Sequence, residues 1–200
     1  MIHRSDSIVR EPRTKLSSTP LATPKLTLKQ ISEVSNLVAG DILAQRDKYA
    51  ARAVPLSAQQ RGAVAAFFSS ELLGNARVLM LESERVANPE FYPMLYAMGF
   101  QNLPDQSAMA AITFHDVVVP HEPFSPALLF HELVHAEQYG QLGVPRFAEL
   151  YVRGFLNGGS YEAIPLETNA CALEDRFRRD PNRGFSVRQE VTKWADEGKL

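Results

Sequence analysis

Cysteine is almost missing from this sequence: Cys171 is the only one among 200 residues, which excludes an intramolecular disulfide. A single cysteine fits a protein of a reducing compartment. The sequence also lacks any apolar run near the roughly 20 residues that span a bilayer. The formal net charge is only −2, whereas a dedicated nucleic-acid-binding protein needs a concentrated positive field. We therefore expect a cytoplasmic protein with no transmembrane segment and no nucleic-acid partner.

The remaining composition is that of a globular domain, with 45% hydrophobic and 22% charged residues. A chain of this length suits one domain with a substantial core and is short for two. The first 26 residues differ, because they are basic, rich in serine, threonine and proline, and lack the apolar centre of a secretory signal. We interpret residues 1–26 as a flexible tail, with a transit peptide as the alternative, and residues 27–200 as a single domain.

Helix start signals recur along this domain. Thr27, Ser57 and Ser186 are each followed three residues later by glutamine, which is the capping-box pattern. The predicted helices cover residues 27–52, 57–74, 88–99, 125 to 140 or 143, 145–156, 165 through at least 177, and 186 onward. The predicted strands cover residues 76–81 and 110–119, the second of which is rich in β-branched residues. The predicted fold class is α+β, mostly helical, with a small sheet.

The octapeptide HELVHAEQ, residues 131–138, lies on the predicted helix that begins after Ser125. Residues four apart on a helix differ by about 40° in direction, so His131 and His135 point the same way and Glu132 lies about 100° around. Zinc binds neutral imidazoles and lowers the pKa of water toward 7, so a nearby carboxylate can take the proton. The HExxH spacing therefore predicts a Zn²⁺ site with His131 and His135 as ligands and Glu132 as the general base.

The alternative is an ordinary helix that contains two histidines without a metal. With this composition, HExxH arises by chance in about one of a hundred such sequences. The neighbouring residues of the motif, Leu128–Phe130 and Leu133–Val134, are apolar, which indicates a buried helix. Buried histidines and a buried glutamate need partners, and a metal would supply them. The context thus favours the metal site.

A catalytic zinc usually has a third protein ligand. The downstream candidates are Glu149, Glu162, Glu167 and Glu174. Glu149 is expected on a solvated helix face. Glu167 lies in the first turn of the next helix, beside an apolar stripe and one turn before the small Ala170, so we favour it, with Glu162 in reserve. Glu174, on the same face as Glu167, is expected to hydrogen-bond a ligand histidine.

The stretch AITFHDVVV…LLFHELVHAEQYGQLG…YEAIPLETNA resembles the zincin metallopeptidases of the gluzincin kind, in a minimal single-domain form. The resemblance covers about residues 110–175. It implies an edge strand, an HExxH helix and a second helix that carries a ligand glutamate. It also implies His131, His135 and Glu167 as ligands and Glu132 as the base. Members often have an acid four residues after that glutamate; here the position is Cys171, so the support of the histidines must differ.

These observations lead to a functional hypothesis: a zinc-dependent hydrolase, specifically a metallopeptidase with a peptide or protein substrate. Tyr161, just before the Glu167 helix, is a candidate donor to the oxyanion of a scissile carbonyl, with ring packing in a turn as the alternative. His115 is expected on the second strand, on the face of Thr113. Two rival hypotheses remain: a zinc-binding but non-catalytic structural or regulatory module, and a metal-free helical adaptor. The oligomeric state stays open.

Overall fold

The computed structural model describes residues 23–200, and the predicted tail of residues 1–26 lies outside the described residues up to residue 22. The helices are α1 (Leu28–Ala50), α2 (Ala58–Val64), α3 (Ser70–Asn75), α4 (Tyr92–Ala97), α5 (Pro126–Gly158), α6 (Pro165–Arg179) and α7 (Val187–Asp196). The strands are β1 (Val54–Pro55), β2 (Arg77–Val78), β3 (Ala111–Phe114) and β4 (Val117–Pro120). Their order is β1-β2-β4-β3, parallel between β2 and β4 and otherwise antiparallel. The prediction of a mostly helical α+β fold is confirmed.

Polar caps lie at the three predicted helix starts, with the complete capping box at Thr27 and Ser57 and only the serine half of it at Ser186. The Thr27 hydroxyl accepts a hydrogen bond from the Gln30 backbone N–H at 3.3 Å, and the Gln30 side chain accepts one from the Thr27 N–H at 2.9 Å. Ser57 and Gln60 make the same reciprocal pair at the start of α2. These contacts satisfy backbone donors that have no partner within the helix.

The prediction of one strand over residues 110–119 is wrong, because this segment folds back as a hairpin. Phe114 of β3 pairs with Val117 of β4, which leaves His115 and Asp116 as a two-residue turn. His115 has a positive φ of 58°, as the mirror-image turns of tight hairpins require, and histidine tolerates that conformation better than most residues. His115 is consequently not on the strand face of Thr113. Arg46 of α1 holds the turn by donating to both Asp116 carboxylate oxygens at 2.8 and 3.0 Å.

The predicted helix over residues 57–74 is also wrong, since it is two short helices. The break lies at Phe67 and Phe68, both of which are buried against Phe130 with ring centroids 5.4 and 5.1 Å away. Consecutive residues of a continuous helix point about 100° apart, so a regular helix would not bury both rings against one partner. Ser69 then caps α3 by accepting from the Leu72 N–H at 3.1 Å.

The long helix α5 crosses the centre of the molecule and packs against α1, α6, α7 and β3. It bends at Gly143, whose φ of 71° and ψ of 156° are non-helical, and Pro145 begins its second half. The bend matches the predicted boundary between the helices at 125–143 and 145–156. None of the helices between residues 23 and 200 is long and apolar enough to cross a membrane.

Two small residues let the chain return close to α5 before α6 begins. A Cβ atom on Gly158 would lie 2.5 Å from the Cβ of Ala163, and one on Gly154 would lie 2.6 Å from Cδ of Pro165. Such distances exclude any larger residue unless the backbone shifts. The tight approach fixes the start of α6 against the second half of α5, and the first turn of α6 also contacts the first half, where the Gln138 side chain donates to the Leu166 carbonyl oxygen.

Candidate metal centre

Three side chains from α5 and α6 converge at one point. His131 and His135 lie one turn apart on α5, with their Nε2 atoms 3.1 Å apart. Glu167, in the first turn of α6, places Oε2 3.6 Å from Nε2 of His131 and 3.4 Å from Nε2 of His135. His135 and Glu167 are buried, and the His131 side chain is 13% exposed. The structure thus brings together the two predicted histidines and the favoured third residue.

The triangle formed by these three atoms has the dimensions of one face of a metal tetrahedron. Two ligands about 2.0–2.1 Å from a tetrahedral ion lie about 3.3–3.4 Å from each other. The measured sides of 3.1, 3.4 and 3.6 Å bracket that value. His131, His135 and Glu167 are therefore a group that could hold a metal ion.

The other ring nitrogens of the two histidines have acceptors, which fixes their tautomers. Nδ1 of His131 lies 3.1 Å from Oε2 of Glu174, so the expected hydrogen bond to that glutamate is present. Nδ1 of His135 lies 2.9 Å from Oε1 of Gln138. Because both neighbours accept, both Nδ1 atoms carry hydrogen. In two neutral rings the Nε2 lone pairs would face each other and Glu167, so this arrangement requires a positive charge there, either a proton or a metal ion.

The orientation of the Gln138 amide follows from its own contacts. Its Nε2 donates to the Leu166 carbonyl oxygen at 3.0 Å and to Oδ1 of Asn169 at 3.0 Å. A backbone carbonyl can only accept, so the amide nitrogen must face α6 and the oxygen must face His135. Gln138 is fully buried, and its hydrogen bonds tie α5 to α6 and orient the ring of His135.

Glu132 is buried beside the three ligand atoms without belonging to that group. The hydroxyl of Thr113, on β3, donates to Oε2 of Glu132 at 2.7 Å and lies 3.1 Å from the Glu132 carbonyl oxygen. Within residues 23–200, no protein donor is bonded to the second carboxylate oxygen, Oε1. The edge strand of the sheet thus holds the carboxylate in one orientation with one oxygen open for a further proton donor.

Charges around the site favour cations at the histidines. Burial alone would lower the pKa of His131, but hydrogen bonds with Cys171, Glu167 and Glu174 outweigh burial and raise this pKa to about 12. Burial would also lower the pKa of His135, but the negative charge of Glu167 outweighs it and raises this pKa. Conversely, burial would raise the pKa of Glu167, but the two histidines hold it below its ordinary value. The carboxylates thus create a negative potential that either two protons or one divalent ion can neutralise.

Tyr161 lies in a short 3₁₀ turn (Tyr161–Ala163) before α6. It lines the same cavity as Glu132, His135 and Glu167. Burial and the charge of Glu167 raise its pKa well above the ordinary value, so the hydroxyl keeps its proton and remains a donor.

The other candidates of the sequence lie outside the centre. Glu162 is exposed, so the structure brings Glu167 and not the reserve candidate to the histidines. Glu149 pairs with Arg146 and Arg153, each at 2.8 Å, on the outer face of α5. Cys171 is exposed on α6 but lies near enough to His131 to affect its pKa, and the acid that supports His131 is Glu174, seven residues after Glu167.

Two residues that shape the centre were missed by the sequence analysis. Gln138 follows His135 by three residues, and side chains at that helical spacing are neighbours, so its contact was detectable. Thr113 reaches Glu132 only because the hairpin packs on α5, and no local signal reveals that contact.

The chain was compared with family models, curated proteins and solved structures. No family model, no curated protein and no solved structure matches the chain.

Proposed function

We propose that this protein is a zinc-dependent hydrolase whose substrate is a peptide bond. The observation that carries the proposal is the convergence of Nε2 of His131, Nε2 of His135 and Oε2 of Glu167 with separations of 3.1–3.6 Å. Two imidazole nitrogens and one carboxylate oxygen form a ligand set that catalytic zinc sites use, and such sites keep one position open. The resemblance of the sequence to zincin metallopeptidases supports the choice of a peptide bond.

A zinc ion held by these three residues would act as a Lewis acid toward a carbonyl and would acidify water. The residues of the chain supply the remaining functions. Glu132 accepts a proton through the oxygen that Thr113 leaves free and delivers it to the departing amine. Tyr161 donates a hydrogen bond to negative charge that develops on the carbonyl oxygen. Glu174 and Gln138 keep the imidazoles in the tautomer that binds metal.

The decisive experiment compares the wild type with Glu132→Gln. Glutamine keeps the shape of the side chain and can keep the contact with Thr113, but it cannot take a proton. We expect zinc content by elemental analysis to remain unchanged and peptide hydrolysis to fall by about 10²–10⁴-fold. Glu149→Gln, on the same helix but bound to surface arginines, is the matched control and should keep full activity.

The outcomes separate the rival functions. Equal rates for wild type and Glu132→Gln would contradict the role of Glu132. A wild type that binds one zinc per chain yet hydrolyses no member of a peptide library would contradict the hydrolase proposal and favour a structural or regulatory zinc module. A protein with no zinc at all would contradict both.

A further inference from the structure

A cavity of about 120 Å³ extends from the candidate metal centre between α1 and α5. Glu132, His135 and Glu167 form its polar end. Its walls are mainly apolar and include several aromatic residues: Phe147 packs beside His135, and Phe91, Tyr92, Phe100 and Phe155 also line the cavity. The size is comparable to that of engineered cavities that bind a benzene-sized ligand. The cavity therefore has room for about one apolar side chain.

One acidic residue interrupts the apolar wall. Asp41 lines the cavity on the face of α1 that also presents Val34, Val38 and Ile42. Its carboxylate accepts a single long hydrogen bond, 3.4 Å from Nε2 of Gln45. Asp41 has no ion-pair partner among residues 23–200, and no lysine or arginine of that part of the chain lines the cavity.

The electrostatics of this wall favour a cationic guest. Partial burial raises the pKa of Asp41, and this effect and the charge of Glu90 outweigh the hydrogen bond from Gln45 and the charge of Lys48, which lower it. A carboxylate in such surroundings gains most from a positive partner, since water solvates it less well. The faces of aromatic rings attract cations as well, so the aromatic wall and the acid act in the same direction.

We propose that this cavity binds a cationic nitrogen carried on an apolar stem, with Asp41 as its counter-ion and the metal centre at the other end. As a statement about the substrate, this inference rests on the proposed hydrolase function. Two parts of a peptide offer that chemistry: a lysine or arginine side chain, whose methylene stem is apolar, and the free α-amino group of an amino-terminal residue. Asp41 is then a residue that determines specificity.

The first test measures binding without turnover. n-Butylamine, which is protonated at pH 7, and its neutral analogue 1-butanol are titrated into the zinc-loaded protein and followed by NMR chemical shifts. We expect the amine to bind at least about 10-fold more tightly than the alcohol, as for a hydrogen bond to a charged group. Asp41→Asn should abolish the difference. Asp47→Asn, the same change on the exposed face of α1, should preserve it.

Equal affinities in the wild type, or a preference for the amine that survives in Asp41→Asn, would overturn the inference. A preference that survives in Asp41→Asn would mean that the amine binds elsewhere, for example at the metal.

The second test distinguishes the two peptide sources. Peptides with blocked termini and an internal lysine are compared with the same peptides containing norleucine, and with unblocked peptides that lack lysine and arginine. A preference of at least about 10-fold for lysine that Asp41→Asn removes identifies the side chain as the source. A requirement for a free amino terminus that the same variant relaxes identifies the α-amino group.

Hydrolysis with neither dependence contradicts the inference and leaves the hydrolase proposal standing. Discrimination of butylamine without any hydrolysis contradicts the hydrolase and leaves the cation site standing.

Discussion

His121 and the pair His131–His135 are both largely buried, yet their ring nitrogens have different partners. In His121, Nδ1 lies 2.7 Å from the Met109 carbonyl oxygen, and Nε2 accepts from the Val86 backbone N–H at 3.0 Å. Each nitrogen of His121 thus has a complementary backbone partner. In His131 and His135, Nδ1 lies against a side-chain acceptor, Glu174 or Gln138, and the two Nε2 atoms face each other and Glu167.

The difference shows what distinguishes a structural histidine from a candidate ligand. Burial alone does not, because His121 is 8% exposed and His135 is 6% exposed. The distinguishing feature is a ring nitrogen, Nε2, that faces a second Nε2 and a carboxylate, so that a proton or a metal ion must lie between them. His121 links the loop after β2 to the end of β4 through its hydrogen bond from Val86. His131 and His135 instead belong to a group that could hold a metal ion.

The largest effect that tests this comparison is the loss of metal from His135→Ala. This change removes one of three ligand atoms and leaves two, which is fewer than a catalytic zinc site uses. We expect zinc affinity to fall by more than the roughly 10- to 100-fold that is typical for the loss of an outer partner. Competition with a chromophoric chelator measures the affinity, and circular dichroism establishes that the variant is folded. A folded His135→Ala protein that binds zinc as tightly as the wild type would refute the ligand assignment.

The converse expectation concerns His121→Ala, which should keep the metal and lose stability. Removal of the imidazole leaves the Val86 N–H and the Met109 carbonyl without their partner, and each unsatisfied buried group costs about 1–3 kcal/mol. We expect the free energy of unfolding, measured by urea denaturation of the zinc-loaded protein, to fall by about 2–4 kcal/mol. Loss of zinc from the folded variant would contradict the assignment of His121 as a purely structural histidine.

The sequence predicted the parts of the centre that depend on helical geometry. The spacing of His131 and His135, the first-turn position of Glu167 and the contact of Glu174 all follow from periodicity on α5 and α6. The small Ala170, fully buried in the core, was a correct sign that α6 approaches α5 closely.

The contacts that cross between distant segments were not predictable in the same way. The turn at His115–Asp116 lacks the glycine or asparagine that marks most tight hairpins, and Arg46, 70 residues away in sequence, holds it. Because the hairpin was not predicted, the contact of Thr113 with Glu132 could not be predicted either. The role of His121 was missed because its partners are backbone groups, which every residue has, so no sequence pattern identifies them.

The pH dependence of zinc binding gives a third test of the difference between His121 and the pair on α5. In the metal-free protein the pKa of His131 is raised to about 12, compared with about 6.5 in an unfolded chain. The folded state therefore retains a proton that the unfolded state loses. This contribution to stability is fully present below about pH 6.5 and is lost as the pH rises toward 12.

Zinc requires the neutral ring, so its uptake at pH 7–8 must expel that proton. We expect at least one proton to be released per zinc bound, and the affinity to rise about tenfold per pH unit for each proton released. Calorimetric titration in buffers of different ionisation enthalpy counts the protons directly. His121→Ala should release the same number as the wild type, because no ligand atom belongs to that ring. Zinc uptake without proton release at pH 7–8 would mean that the two Nε2 atoms already face each other unprotonated, and the argument that they require a cation would fail.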